Sequence, residues 1–159
     1  MDDKKLAIIA TKGSLDWAYP PFILASTAAA LGYETQIFFT FYGLQLLRKK
    51  LALSVTPLGN PGMPMPMGMD KWFPVLGMTL PGMQGMVTSM MKQKMKSKGV
   101  ASIEELRELC IEADVKLVAC QMTVDLFDMD QAEFIDGVEY AGAAAFFEFA
   151  GESDICLYT

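Results

Sequence analysis

Residues 115–125, VKLVACQMTVD, bring a cysteine to the end of a short apolar strand, and the prediction of the fold starts from them. Residues 115–119 form a mainly apolar run, and residues 121–129 are typical of a short helix or helical turn. Residues just beyond the carboxyl end of a strand line the functional crevice of an α/β sheet. Cys120 stands at that point, so it is the candidate for a reactive thiol that solvent can reach. The alternative is a free cysteine that only packs in the core.

Two strands and two helices are predicted before this stretch. Residues 6–10 are a continuous apolar run, and residues 35–40 are β-branched and aromatic, which favours strands. Because proline disrupts a helix interior, the first helix is predicted to begin at Pro20 and to end near Leu31. A short helix is predicted over residues 43–50. The alternation of strand and helix indicates an α/β fold with a mainly parallel sheet.

The carboxyl-terminal part of the chain continues this alternation. Ser102 and Glu105 form a capping box, which predicts a helix to about Ala113. A last helix is predicted over residues 138–149, followed by a terminal strand over residues 155–158.

The three cysteines are assigned different environments. Cys110 lies on the inward side of its predicted helix, and Cys156 is expected in the core as part of the terminal strand. A disulfide between Cys110 and Cys120 is rejected, because five strand residues at about 3.3 Å each put the two levels too far apart. A bridge needs Cα atoms within about 7 Å.

Residues 57–98 form an insert rich in proline, glycine and methionine. Ten of the thirteen methionines lie between Met63 and Met95. The uncharged residues 72–91 hold two prolines and three glycines, which argues against a simple membrane span. From about Met83 to Lys98 the apolar residues recur at helical spacing and four lysines follow, which predicts an amphipathic helix.

Three interpretations of the methionine-rich segment are open. It packs against the domain core or a second subunit, because unbranched methionine fills irregular gaps. It lies on a membrane surface as a basic amphipathic helix. It binds a soft metal such as Cu(I) through thioether sulfurs.

Composition excludes several classes of site. The chain has no histidine, which removes a Ser-His-Asp triad, a Cys-His pair and a histidine-ligated zinc site. The cysteines do not form Cys-x-x-Cys, so no metal site is predicted. The turn at residues 11–14 lacks both phosphate-binding glycine motifs, which leaves nucleotide binding there as the weaker alternative, and no cofactor is predicted.

Length and charge set further expectations. A chain of 159 residues is expected to form one domain, residues 1–159. The start MDDKK shows no signal peptide, so the protein is expected to be cytoplasmic. The net charge is −6, divided as +6 over residues 1–100 and −12 over residues 101–159. Nucleic acid is therefore not expected as a partner. The two charged parts are first interpreted as two solvated faces of one domain, and alternatively as complementary surfaces that meet in a homo-oligomer or bind a basic partner.

Five motifs, taken in this order, resemble the DsrE/DsrF-like family, and in particular its DsrE-type branch, often labelled peroxiredoxin-like. The resemblance covers nearly the whole chain and rests on the order and combination of the motifs. They are FFTFYGL (38–44), the insert through LPGM (80–83), GVASIEEL (99–106), ACQM (119–122) and IDGVE (135–139).

The resemblance implies a three-layer α/β/α fold, a homo-oligomer, and intracellular sulfur trafficking through a persulfide on a strand-end cysteine, which corresponds to Cys120. Sulfur-donor and sulfur-acceptor proteins are the implied partners, and the implied role is a sulfurtransferase-like carrier rather than a turnover enzyme. The residues do not support a peroxidase, because a peroxidatic thiolate usually needs a nearby cation and Asp125, Asp128 and Asp130 follow instead. The alternative function is an oligomeric or membrane-peripheral module that works through the helix beginning at Met83.

Overall fold

The computed structural model describes residues 4–57 and 80–159. Within them, five strands form one sheet in the order β4-β3-β2-β1-β5, and every neighbouring pair is parallel. The expectation of an α/β fold with a mainly parallel sheet is thereby confirmed. The strands are β1 (Lys5–Ala10), β2 (Glu34–Phe39), β3 (Lys116–Cys120), β4 (Glu139–Ala141) and β5 (Ile155–Tyr158).

Helices pack on both faces of this sheet. The ring of Phe22 lies 5.9 Å from that of Phe39, whereas the ring of Phe146 lies 5.2 Å from that of Phe38. Because neighbouring residues of a strand point to opposite faces, these contacts place helices on opposite sides and give three layers. The helices are α1 (Leu15–Ala30), α2 (Met83–Ser97), α3 (Ile103–Glu112), α4 (Gln121–Leu126) and α5 (Ala143–Ala150), with short 3-10 helices at Phe41–Leu47 and Gln131–Glu133.

The face of the sheet under α5, called here the α5 face, has a small apolar core. Phe38 of β2 is paired with Val118 of β3, so the two side chains stand next to each other on this face. Phe146 of α5 covers them, and Cys120 and Ala7 complete the cluster. The candidate cysteine is therefore part of the packing between the sheet and α5.

Helix α1 begins earlier than predicted. It starts at Leu15 and contains Pro20 and Pro21 in its interior, so the prediction of a start at Pro20 is wrong. Hydrogen bonds from outside the helix hold its first turn: Leu15 N donates to Ser54 O at 2.8 Å, and Asp16 accepts from both N and Oγ1 of Thr56. These bonds hold the first turn of the helix ahead of the two prolines, which have no N–H to donate.

Two other predicted helices are corrected. The helix predicted over residues 43–50 is a 3-10 helix at Phe41–Leu47, and Arg48 then forms an antiparallel bridge with Phe134. The helix predicted over residues 138–149 is divided: Glu139–Ala141 forms strand β4, and α5 starts only at Ala143. The three strand residues pair with the end of β3, a contact that local sequence does not reveal.

The chain divides into two compact units. One comprises Met1–Gly13, Trp17–Leu51 and Ser102–Thr159 and holds the sheet; the other comprises Ser14–Asp16 and Ala52–Ala101 and holds α2. The single domain expected from the sequence stays a prediction. Much of the predicted insert, residues 58–79, lies outside the described residues.

Helix α2 is tied to the segment at Val55 within the second unit. Val55 N donates to Thr88 Oγ1 at 3.0 Å, and Gln84 Nε2 donates to Val55 O at 2.9 Å. The helix confirms the one predicted from about Met83. In the part of the chain that the structure describes, no helix is long and apolar enough to cross a membrane.

Candidate functional site

Cys120 is the last residue of β3 and the residue that caps the start of α4. On one side of its strand lies β2, and on the other side Cys120 itself is paired with Ala141 of β4. The prediction that this cysteine stands where a strand gives way to a helix is confirmed. The position is at the carboxyl edge of a parallel sheet, where functional residues of α/β proteins collect.

The thiol of Cys120 is covered. The residue is only 5% exposed and packs with Phe38, Val118 and Phe146. The expectation of a thiol open to solvent is therefore wrong. The thiol is covered because the Cys120 side chain points to the α5 face of the sheet, where α5 packs over it. The sequence showed only that a strand ends at this position.

Two helices begin beside Cys120. Its own backbone leads into α4, and Gly142, the residue after its partner Ala141, caps the start of α5. The first N–H groups of a helix have no partner within the helix, and they favour negative charge. Cys120 therefore stands where two helices start, although its side chain makes no hydrogen bond to the first turn of α4, which is only six residues long.

Thr123 fixes α4 to the end of the neighbouring strand. Its side chain is fully buried, its Oγ1 accepts from Phe41 N at 3.3 Å, and it lies 3.2 Å from Thr40 Oγ1. This anchor keeps the residues after Cys120 in place. Sequence reasoning missed it; the only available signal was a threonine in the first turn of a short helix, opposite another threonine at a strand end.

Cys110 lies in the core on the inward side of its helix, as predicted. It is fully buried, its Sγ donates to Phe22 O at 3.5 Å, and burial raises the pKa of its thiol to about 12. A thiol that stays protonated at neutral pH is a poor nucleophile. All three cysteines are free, in agreement with the rejected Cys110–Cys120 bridge.

Cys156 is exposed, so the expectation that it lies in the core is wrong. Strand β5 is the outer strand next to β1, and α5 does not shield its Cys156 side chain. Cys156 is paired with Ala7 of β1, and the register across β2 and β3 puts both at the level of Lys116. That level is four residues before Cys120, and β5 is three strands away from β3. With about 4.8 Å between strands and about 3.3 Å per residue, the two cysteines are roughly 20 Å apart. They do not share one site.

The acidic residues after Cys120 are exposed and hydrogen-bonded elsewhere. Asp125 accepts from Gln121 Nε2 at 2.7 Å, and Asp130 accepts from Ala132 N at 2.8 Å. Among residues 4–57 and 80–159, no group of three or more cysteine, aspartate or glutamate side chains is arranged to hold a metal ion. Any thioether site built from residues 63–78 lies outside the described residues.

The parallel five-stranded sheet with helices on both faces places the chain in the three-layer α/β class of proteins. The chain is a member of the DsrE/DsrF/DrsH-like family, whose model matches residues 2–158. The family resemblance read from the sequence is thereby confirmed.

Among curated relatives, the chain is 89% identical over 158 residues to the sulfur carrier protein DsrE2 of Allochromatium vinosum, with 99% of both chains covered. It is 37% identical to the protein YrkE of Bacillus subtilis over 158 residues, covering 98% of this chain and 96% of that one. The crystal structure of the ychN protein from E. coli is similar with a TM-score of 0.55 at 13% identity, covering 98% of this chain and 99% of that one. That last likeness concerns the fold alone.

Proposed function

We propose that this chain is a sulfur carrier that accepts sulfane sulfur on Cys120 as a persulfide and passes it to the thiol of another protein. The proposal draws on the 89% identity to a protein named as a sulfur carrier, across almost the full length of both chains. The observation that supports Cys120 as the carrier is its place at the carboxyl end of β3, beside the starts of α4 and α5.

The chemistry needs one thiol and no cofactor. The Cys120 thiolate attacks the terminal sulfur of a donor persulfide; a new S–S bond forms at Cys120, the donor S–S bond breaks, and the donor leaves as a thiolate. In the second step an acceptor thiolate attacks the terminal sulfur, and Cys120 leaves as a thiolate. One sulfur atom moves in each step, and there is no net oxidation or reduction.

Burial of Cys120 suits a carrier that must hold a reactive group between two encounters. Phe38 and Phe146 cover the thiol, so a persulfide there is shielded from stray thiols in solution. Loading and unloading then require local opening, and the movable part is α5, an eight-residue helix in which Phe146 is the one buried side chain. A protein partner that shifts α5 would gain access that a small thiol lacks.

Sulfur-donor and sulfur-acceptor proteins are the partners that this function requires. A homo-oligomer and a cytoplasmic location belong to the same proposal. They are supported by the resemblance to the family and by the opposite charges of residues 1–100 and 101–159.

The proposal is tested by mass spectrometry that identifies which cysteine takes up sulfur. The folded protein is incubated with a persulfide donor and digested, and the cysteine peptides are weighed; the Cys120 peptide should gain about 32 Da, one sulfur atom. The Cys120→Ser variant should gain nothing at this peptide and remain folded. Because Cys156 is exposed, the Cys156→Ser variant serves as the matched control and should still load Cys120. Absence of the adduct on Cys120 in both wild type and control would contradict the proposal.

A second candidate function belongs to α2. Met86 is 47% exposed, and Lys92, Lys94 and Lys98 are exposed toward the carboxyl end of the same helix. A helix with apolar and cationic surface suits a peripheral membrane contact. Flotation with anionic liposomes tests this: binding that is lost when the lysines of α2 are changed to glutamine would favour the membrane module, and no binding would remove it.

A further inference from the structure

An exposed aromatic cluster lies at the end of β2, next to the helix that follows Cys120. The rings of Phe41 and Phe127 are 6.3 Å apart edge to face, and Tyr42 stacks on Phe127 at 6.0 Å. Their exposed fractions are 44% for Phe41, 65% for Tyr42 and 41% for Phe127. Three large rings that touch each other and face solvent form a continuous patch, which is characteristic of an interaction site.

Helix α4, which lies in the chain between Cys120 and Phe127, carries two more exposed apolar side chains. Met122 and Leu126 are four residues apart on α4, so they share a helix face, and both are largely exposed. Met122 is two residues from Cys120, and Thr123 bonds Phe41 N to the same helix. The five residues Phe41, Tyr42, Met122, Leu126 and Phe127 are called here the aromatic surface.

The backbone at Phe41 is strained. Its φ is 48°, a left-handed conformation that is unfavourable for a bulky side chain. The neighbouring hydrogen bonds impose it: Phe41 N donates to Thr123 Oγ1, and Gly43 N donates to Thr11 O. A glycine would satisfy the same backbone without strain, yet the chain carries an exposed phenylalanine. Strain retained at a solvent-facing ring points to a use for that ring.

Acidic side chains border the aromatic surface. Asp125 and Asp128 are exposed beside Leu126 and Phe127, and Asp130 follows. No lysine or arginine occurs anywhere in residues 117–159.

Two cations of the neighbouring loops make contacts of their own: Lys12 Nζ lies 3.1 Å from the centroid of the Trp17 ring, and Arg48 pairs with Glu133 at 3.0 Å. Lys49 and Lys50 are exposed further along, where Lys49 N donates to Glu133 O. The charged residues that follow Cys120 along α4 and the turn after it, Asp125, Asp128 and Asp130, are all negative.

We propose that the aromatic surface docks the protein that exchanges sulfur with Cys120, and that this partner presents apolar side chains bordered by lysine or arginine. The inference rests on the proposed sulfur-carrier function. Aromatic and methionine side chains are enriched at the centres of interfaces, and charges of opposite sign at the rim select the partner and speed its approach. Two copies of this chain that met through the same surface would instead bring their acidic borders together.

Binding of charged peptides tests the docking surface. The probes are two dye-labelled peptides of equal length with a central serine in place of cysteine and the same apolar residues, one flanked by lysines and one by glutamates. Fluorescence anisotropy at low and moderate salt measures their affinity. The lysine peptide should bind roughly tenfold more tightly, and added salt should remove most of that difference.

Three variants, one of them a control, connect the binding to the surface. Phe41→Gly and Phe127→Ala should each weaken the lysine peptide by about tenfold, whereas the matched control Leu31→Ala, which removes an exposed side chain at the far end of α1, should not. Because glycine relieves the strain at position 41, Phe41→Gly should keep or raise the thermal unfolding midpoint. That result would separate a docking role from a structural one.

Two double variants, each of which removes two acidic charges, complete the test. Asp125→Asn with Asp128→Asn should lower affinity for the lysine peptide and its salt dependence; Glu108→Gln with Glu112→Gln, exposed on α3 and equal in charge change, should do neither. Equal binding of both peptides, or unchanged binding by the aromatic variants, overturns the inference. So does a change of subunit number in Phe127→Ala, which would make the surface a subunit contact. The peptides carry no thiol, so failure of Cys120 to take up sulfur is seen separately.

Discussion

Three thiols in one chain occupy three environments, and their environments rather than their identity decide their chemistry. Cys156 is exposed on the outer strand, Cys120 is covered at the end of β3, and Cys110 is enclosed between α3 and α1. Exposure favours contact with any reagent, whereas a carrier needs selective contact. Cys120 has the intermediate position, beneath one short helix.

Alkylation should follow exposure. Cys156 should react first with iodoacetamide, Cys120 more slowly through local opening, and Cys110 only when the protein unfolds. This order follows from the observed burial, whereas the sequence predicted a Cys120 thiol that solvent can reach. Timed quenching with peptide mapping measures it. Labelling of Cys110 at the rate of Cys156 in the folded protein would contradict the environments described.

Cys110 should make the protein less stable in alkali. Burial raises the pKa of its thiol from 9.0 to about 12, so above pH 9 the unfolded chain loses this proton while the folded chain keeps it. Stability should therefore fall between pH 9 and pH 12, by at most roughly 1.4 kcal/mol per pH unit. Urea unfolding at several pH values measures the slope. Cys110→Ala should flatten the slope relative to wild type; an unchanged slope would assign it to other groups.

At the scale of elements, tertiary pairing explains where sequence reasoning failed. The alternation of apolar runs predicted β1, β2, β3 and β5 within one residue at either end. Strand β4 was read as helix because Glu139–Ala141 precedes an alanine-rich run, and only its pairing with β3 makes it a strand. Because β4 was missed, the start of α5 was also misplaced, and the packing of α5 over the Cys120 thiol was not predicted.

Helix α5 should control access to Cys120. Phe146→Ala removes the ring that covers the thiol, so alkylation of Cys120 should accelerate on the order of tenfold, and unfolding should become easier by about 3 kcal/mol. Phe147→Ala is the matched control, because its ring is 69% exposed on the same helix. Equal labelling rates in the two variants would mean that α5 does not cover the path to the thiol.

The start of α3 shows where local sequence was sufficient. Ser102 Oγ accepts from Glu105 N, and Glu105 Oε2 accepts from Ser102 N, the reciprocal pair that the S-x-x-E pattern predicted. Ser102→Ala should cost about 1 kcal/mol of folding free energy, while Ser102→Thr keeps an acceptor and should cost much less. Chemical denaturation measures both. Equal losses would show that the cap does not stabilise α3.

At the scale of the whole molecule, the sequence predicted the fold class and the position of Cys120 but not the surroundings of the site. Composition excluded histidine chemistry, and the strand–helix pattern put Cys120 at a strand end. Whether that thiol is covered depends on α5, and whether Phe41 faces solvent depends on its bond to Thr123; both are contacts between distant parts of the chain. The periodicity of apolar residues in the sequence predicts neither of these two contacts.

Sulfur transfer by two cysteine variants tests the central claim most directly. One protein keeps only Cys120, through Cys110→Ala and Cys156→Ser; the other keeps Cys110 and Cys156, through Cys120→Ser. Each is loaded with isotopically heavy sulfane sulfur, freed of donor and mixed with a thiol peptide, whose mass is then measured. The Cys120 protein should deliver about one heavy sulfur atom per chain, and the Cys120→Ser protein should deliver almost none. Equal delivery by both, or delivery only by the protein that lacks Cys120, would contradict the account.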